Sequence, residues 1–189
     1  PNGKWMWLSV PVKKNFGQKI DEVLINDDLR WRESHWTSIR SAYTKAPFFE
    51  AYRPFFEEVY TKNWEYLVEL NIDLISKISG LLGIHKARFV RSSEFNVGGK
   101  KTDRLINIVE AVGADAYISG PAAKSYIEIE KFRGENIDLY WFEFNHPTYT
   151  QLYGGFIPHL SVIDLMFNVG PDSLSVIRKG AEGALKKVT

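Results

Sequence analysis

Asp115-Ala-Tyr-Ile-Ser-Gly-Pro-Ala-Ala-Lys124 decides how this chain reads. Its first half is apolar and β-prone, so a short buried strand is expected from Asp115 to Ser119. Gly120 stops that strand, and Pro121 opens a short helix to Ile127, because proline's fixed φ and missing N–H suit a first helical position. Just upstream lies Gly98-Gly-Lys-Lys-Thr-Asp-Arg104. A helix is expected there from Thr102, read as its N-cap, to Val112, with Gly113 closing it. Ala87-Arg-Phe-Val-Arg91 and the stretch from Ile137 to Phe144 read as flanking strands. Strand and helix alternate, and that order implies an α/β domain with a mostly parallel sheet covered by helices, Rossmann-like and three-layered.

Further out the texture changes. Asn2-Gly3 before Lys4-Trp-Met-Trp-Leu-Ser-Val10 reads as a turn entering a strand, and Lys19-Ile-Asp-Glu-Val-Leu-Ile25 as a weaker strand. Asp27 or Asp28 caps a helix to about Tyr43, whose one face carries Trp31, His35, Ile39 and Tyr43. Residues 47–60 form an aromatic helix that Pro54 should interrupt or kink. Leu67, Leu70, Leu74, Ile78 and Leu81 mark the stripe of the next helix, with Asn63 as its cap and Gly83 as its end. The block at about 29–83 reads as a helical insertion in a single domain spanning 1–189. Pro158 precedes a helix from about Leu160 to Phe167, and a last one from Leu174 to Lys187 is interrupted by glycines.

Composition bounds the function. The 189 residues are 44% hydrophobic and 25% charged, enough apolar material for a core. With 24 basic and 23 acidic residues the net charge is +1, which leaves no electrostatic footprint for nucleic acid or an anionic membrane. The absence of cysteine excludes disulfides, thiol catalysis and thiolate metal sites. There is neither a membrane-length apolar run nor a signal-peptide pattern, so a cytoplasmic location is expected. The four histidines lack H-x-x-x-H or H-E-x-x-H spacing, and no metal site is expected. No motif identifies a cofactor. Ser119 lacks a G-x-S-x-G elbow, and Gly98-Gly-Lys-Lys101 lacks P-loop spacing.

The candidate site follows from the expected strand ends, where open parallel sheets bind ligands. Ser119, Gly120 and Lys124 follow one strand, and Arg91 and Ser92 another. Lys101 and Thr102 stand at a helix start. Backbone N–H groups, hydroxyls and cations in that arrangement suit a phosphate or carboxylate. His146 follows a third strand and is the candidate general base. Tyr149 and His159 complete the substrate-binding set. Asp164 lies on a helix apolar nearly all round, so it is expected to be enclosed and to need a partner such as His146, His159 or an arginine. Each residue also has a plain reading: a turn with a solvated lysine, a capping turn, a loop histidine, a structural aspartate pair.

Six ordered segments carry a resemblance. They are Trp7-Leu-Ser-Val-Pro-Val-Lys13, Phe89-Val-Arg-Ser-Ser-Glu94, Lys100-Lys-Thr-Asp-Arg-Leu105, Tyr117-Ile-Ser-Gly-Pro-Ala-Ala-Lys124, His146-Pro-Thr-Tyr-Thr-Gln151, and Phe156-Ile-Pro-His-Leu-Ser-Val-Ile-Asp164 with Phe167-Asn168. Over nearly its whole length the chain resembles the WbqC-like protein family. That resemblance implies a role in surface-polysaccharide or modified-sugar biosynthesis. It also implies a preceding strand–loop–helix with a Gln-Pro and Pro-Trp-Gly stretch, which this sequence does not contain. The expected activity is a transferase moving an acyl or aminoacyl group to an amino sugar or related amine. Arg91, Lys101, Thr102, Ser119, Gly120 and Lys124 would hold the anionic part of a small, phosphate-bearing substrate. His146 would act as base, oriented by Asp164. Two other readings stay open: a non-catalytic nucleotide-sugar-binding or scaffold protein, and a nucleotidylyl transferase using a divalent metal.

Overall fold

The computed structural model describes residues 4–189, so the Asn2-Gly3 turn lies outside the described residues. In chain order the elements are β1 (Val12–Lys13), β2 (Leu24–Ile25), α1 (Trp31–Tyr43), α2 (Phe49–Thr61), α3 (Leu67–Leu81), α4 (Lys101–Ala111), β3 (Ala116–Ser119), α5 (Ile129–Gly134), β4 (Asp138–Phe142), α6 (Val162–Val169), α7 (Ser173–Ala181) and β5 (Leu185–Lys187). The chain divides into two compact units. The first comprises residues 1–86 and 148–176, the second 87–147 and 177–189.

The first unit is helical around aromatic side chains. Asp27 pins the start of α1 by accepting from Trp31 Nε1 at 3.0 Å and from Arg32 at 2.7 Å. The turn before it, Asp27–Leu29, is 3-10 and is capped by Asn26. Pro54 lies inside α2 without ending it. The helix survives the lost hydrogen bond because Phe49, Tyr52, Phe56 and Val59 are all buried on one side. Phe167 of α6 is fully buried, with ring centroids of Tyr43, Phe49 and Phe56 at 5.0, 5.3 and 5.3 Å. Burying each such ring contributes about 1.5–3 kcal/mol. α3 ends in a Schellman turn: Gly83 takes φ +81, and Ile84 N donates to Ser79 O at 2.9 Å. β1 and β2 form an antiparallel pair.

His35 is buried in this core, with Trp31 and Tyr60 edge-on at 5.2 and 6.0 Å. Burial pulls its pKa below the ordinary 6.5, and a hydrogen bond with the Ser9 backbone opposes this in part. The unfolded chain therefore binds the proton more readily. Stability from His35 is fully present above about pH 6.5 and is lost as pH falls towards the folded-state value. Thermal midpoints measured from pH 8 to pH 5 should fall on the acid side, and His35→Leu should flatten that fall. An unchanged profile in the variant would remove His35 from the account.

The second unit is built on a small sheet. β3 and β4 are parallel, with Ala116 opposite Asp138 and Ser119 opposite Trp141. β5 adds antiparallel to β4. Ile106 and Val109 of α4, Phe132 of α5, and Leu139 and Trp141 of β4 form its core. α4 ends at Gly113 through the same turn geometry as α3.

The expected mostly parallel, three-layer Rossmann-like sheet is not what forms. Among the described residues the sheets have two and three strands, with one parallel pair. Residues 87–91, read as a strand, join no sheet. Arg88 and Arg91 fall on opposite sides of an extended chain, so neither face is apolar enough to bury, and Phe89 and Val90 are exposed. The long final helix is also corrected: α7 stops at Ala181, and 185–187 turn back as β5. No helix of the described residues is long and apolar enough to cross a membrane.

Candidate functional site

The second unit carries most of the expected site. Ser119 ends β3, and Gly120 follows with φ −74 and ψ 162, a conformation open to any residue. A Cβ at Gly120 would meet nothing within 4 Å. Neither the backbone nor the packing needs glycine there. The segment Pro121–Ser125 is a 3-10 turn of five residues, too short for the helix dipole expected of it. Lys124 reaches across to β4: its Nζ lies 2.6 Å from Glu143 Oε1 and 5.8 Å from the Trp141 ring centroid. Hydrogen bonding to Lys124 holds the Glu143 carboxyl below the usual range. Three residues past Glu143, His146 is half-buried, with Nδ1 3.0 Å from Pro147 O. Protonation at Nδ1 satisfies that carbonyl and makes Nε2 the basic nitrogen.

The remaining anion-site residues are placed differently. Thr102 is fully buried and does not cap α4; the N-cap is Lys100. Thr102 Oγ1 accepts from Glu128 N at 3.1 Å, a link between α4 and the start of α5. Lys101 is exposed, with φ +50. The Gly98-Gly99 loop is tied down on α4: Arg104 donates to Val97 O at 3.0 Å and Asn107 to Gly98 O at 3.2 Å. Arg91 and Ser92 are exposed at a 3-10 turn, with Arg91 N donating to Glu94 Oε1 at 3.1 Å.

In the first unit Asp164 is buried, 4% exposed, as expected. Its hydrogen-bond partners are not the histidines or arginines anticipated. Oδ1 accepts from Tyr43 Oη at 2.9 Å and from Asn168 Nδ2 at 3.3 Å. Oδ2 accepts from Tyr149 Oη at 2.8 Å and from Gln151 Nε2 at 3.0 Å. Four donors aimed at one carboxyl are what the acceptor-only, ionised form takes. Burial and the neighbouring carboxylate push both tyrosine hydroxyls far above their ordinary value. Gln151 is locked as well, exchanging hydrogen bonds with both the N–H and the C=O of Ile157. His159 is exposed with φ +60, just ahead of Ser161, the N-cap of α6.

The structure therefore groups the expected residues as two sets. Ser119, Gly120, Lys124 and His146 follow the ends of the parallel pair in one unit, while Tyr149 and Asp164 share a hydrogen-bond cluster in the other. Glu143 was missed, although a carboxylate two residues past Trp141, itself opposite Ser119, is a readable partner for Lys124. Tyr43 was missed as a polar residue because it belongs to an aromatic stripe, and its partner is 121 residues away. Among the described residues no group of three or more histidine or acidic side chains is placed to hold a metal ion.

Comparison with known proteins agrees with the motifs. The model of the WbqC-like protein family matches residues 1–176. The uncharacterized protein Rv1507c of Mycobacterium tuberculosis is 34% identical over 177 residues, covering 93% of this chain and 76% of the relative. No solved structure matches the chain.

Proposed function

Since the chain belongs to the WbqC-like protein family, we propose that it is a transferase of surface-polysaccharide or modified-sugar biosynthesis, moving an acyl or aminoacyl group to an amine. The observation that carries this reading is the Lys124–Glu143 pair. It joins the turn after β3 to the segment after β4, at the carboxyl edge of the one parallel pair among the described residues. Both side chains are close to half exposed, so water screens their attraction and an incoming anion can displace Glu143. Gly120 beside them is a glycine that neither backbone nor packing requires, which leaves room for a ligand to approach the main chain.

The chemistry is then general-base acyl transfer. Lys124 and the backbone at Ser119-Gly120 hold the anionic part of the activated donor. Nε2 of His146 takes a proton from the attacking amine as its nitrogen bonds to the acyl carbon. The tetrahedral adduct collapses, the bond to the leaving group breaks, and His146 returns the proton to that group.

Thermal shifts against nucleotide-sugars, acyl donors and ATP with Mg²⁺ test the reading, because a ligand that binds the native state raises the midpoint. Lys124→Ala should leave the unliganded midpoint within about 2 °C, its exposed ion pair being weak, while removing the donor-induced shift. His146→Ala should keep the shift and lose turnover. Full turnover in both variants would place the site elsewhere. A shift with ATP and Mg²⁺ alone would favour nucleotidylyl transfer, and binding without product for any donor would favour a scaffold.

A further inference from the structure

We infer that the cleft beside Asp164 in the first unit is a binding site for a primary ammonium group. The cleft holds about 60 Å³ and is lined by Tyr43, Gln151, Tyr153, Asp164 and Lys4 among others. That is well above the roughly 10–15 Å³ that one water molecule needs, and leaves room for an ammonium head and its first carbon. The inference stands on the first unit alone and does not depend on the transferase reading.

The argument is a count of protons. A tyrosine hydroxyl has one proton to donate and lone pairs to accept with. Tyr43 spends its proton on Asp164 at 2.9 Å, and Tyr153 spends its own on Ala42 O at 2.7 Å. Gln151 spends its amide protons on Asp164 and Ile157 O. The hydroxyls of Tyr43 and Tyr153 and the amide of Gln151 have therefore committed their protons and face the cleft as acceptors, and among the described residues Lys4 is the one cationic side chain in its lining. Behind them the buried Asp164 carboxylate is held by four neutral donors, none of which cancels its charge. A buried carboxylate balanced only by dipoles gains from a cation brought alongside it. The complement of such a wall is a group with several donors, a positive charge and no need to accept, which describes R–NH₃⁺. Lys4, exposed at the same cleft, carries the sign of charge this wall draws.

The test titrates the whole chain with methylammonium, using methanol and acetate as neutral and anionic counterparts, followed by protein NMR shifts. Methylammonium should bind saturably and shift residues of the cleft, and methanol and acetate should not. Asp164→Asn should weaken it about tenfold. Tyr153→Phe removes one rim oxygen from a partly exposed ring, leaves folding intact by circular dichroism, and should weaken it about threefold. Glucosamine against glucose, and Nα-acetyl-lysine amide against Nα-acetylnorleucine amide, then separate an amino sugar from an amino-acid side chain as the source of the amine. Binding of either amine over its neutral counterpart supports the site. Equal binding of methanol, binding of acetate instead, or an unchanged affinity in folded Tyr153→Phe would overturn it.

Discussion

Asp164→Ala is expected to destabilise the first unit by about 4 kcal/mol, because one truncation strands four donors. Tyr43, Tyr149, Gln151 and Asn168 all aim protons at this carboxylate. Three of the four also hold their segments in place. Tyr43 ends α1, Asn168 donates back to Asp164 O within α6, and Gln151 locks Ile157 in the loop before that helix. The alanine leaves those hydroxyls and amides partly unpaired in an apolar setting, where each forfeits a hydrogen bond to a charged acceptor. Asp164→Asn should cost less, since the amide oxygen still accepts from one side. Tyr43→Phe should cost about 1 kcal/mol, one donor and its acceptor share. Urea unfolding followed by tryptophan fluorescence reads this unit well, because Trp5, Trp7, Trp31, Trp36 and Trp64 belong to it and only Trp141 to the other. A loss below about 1 kcal/mol for Asp164→Ala would mean that water replaces the carboxylate, and the cluster would then be polar filling without structural weight.

This cluster shows how far the sequence reaches. That Asp164 is enclosed was legible, because Val162, Ile163, Leu165, Met166 and Phe167 surround it in α6. Its partners were not, because a hydrogen bond across 121 residues leaves no local pattern. Elements with strong local signals came through: α1, α3 and α4 with their apolar stripes, the glycines that close two of them, and β3 and β4. The wider sheet did not. Ala87-Arg-Phe-Val-Arg91 has β-prone residues but charges of both parities, and composition outweighed alternation in that reading. β5 was hidden for the opposite reason. Leu185-Lys-Lys187 is exposed throughout and has no apolar face to announce it, while the alanines and lysines around it favour helix. Only the turn at Gly183, with φ +64, sends it back along β4. In the second unit, Lys124 and His146 were readable as strand-end residues, whereas Thr102 looked like a cap and is instead a buried acceptor for Glu128.

Gly180→Ala should destabilise the second unit by about 2–3 kcal/mol and lower turnover more than its stability loss explains. A Cβ at Gly180 would lie 2.5 Å from Asn145 O and 2.7 Å from the Phe144 ring. The nearer obstacle is backbone, and it cannot swing aside, because Asn145 N donates to Gly180 O at 3.0 Å and Glu143 N to Ala184 O at 2.8 Å. The helix gains about 1 kcal/mol in propensity from alanine, but the overlap and a broken hydrogen bond outweigh that gain. What must move is the stretch from Phe144 to Asn145, and His146 is the next residue. A general base displaced by even about 1 Å loses on the order of a hundredfold in rate, so turnover below the midpoint reports the displacement separately from unfolding. Gly134→Ala is the control in the same unit: its Cβ meets nothing within 4 Å, and it should be neutral or mildly stabilising. Gly180→Ala with wild-type stability would show that the segment before His146 is not pressed on α7. A destabilised Gly180→Ala that keeps its full rate per folded molecule would instead leave the segment pressed there and free His146 of the chemistry, since the one residue that the overlap is bound to disturb would have proved dispensable.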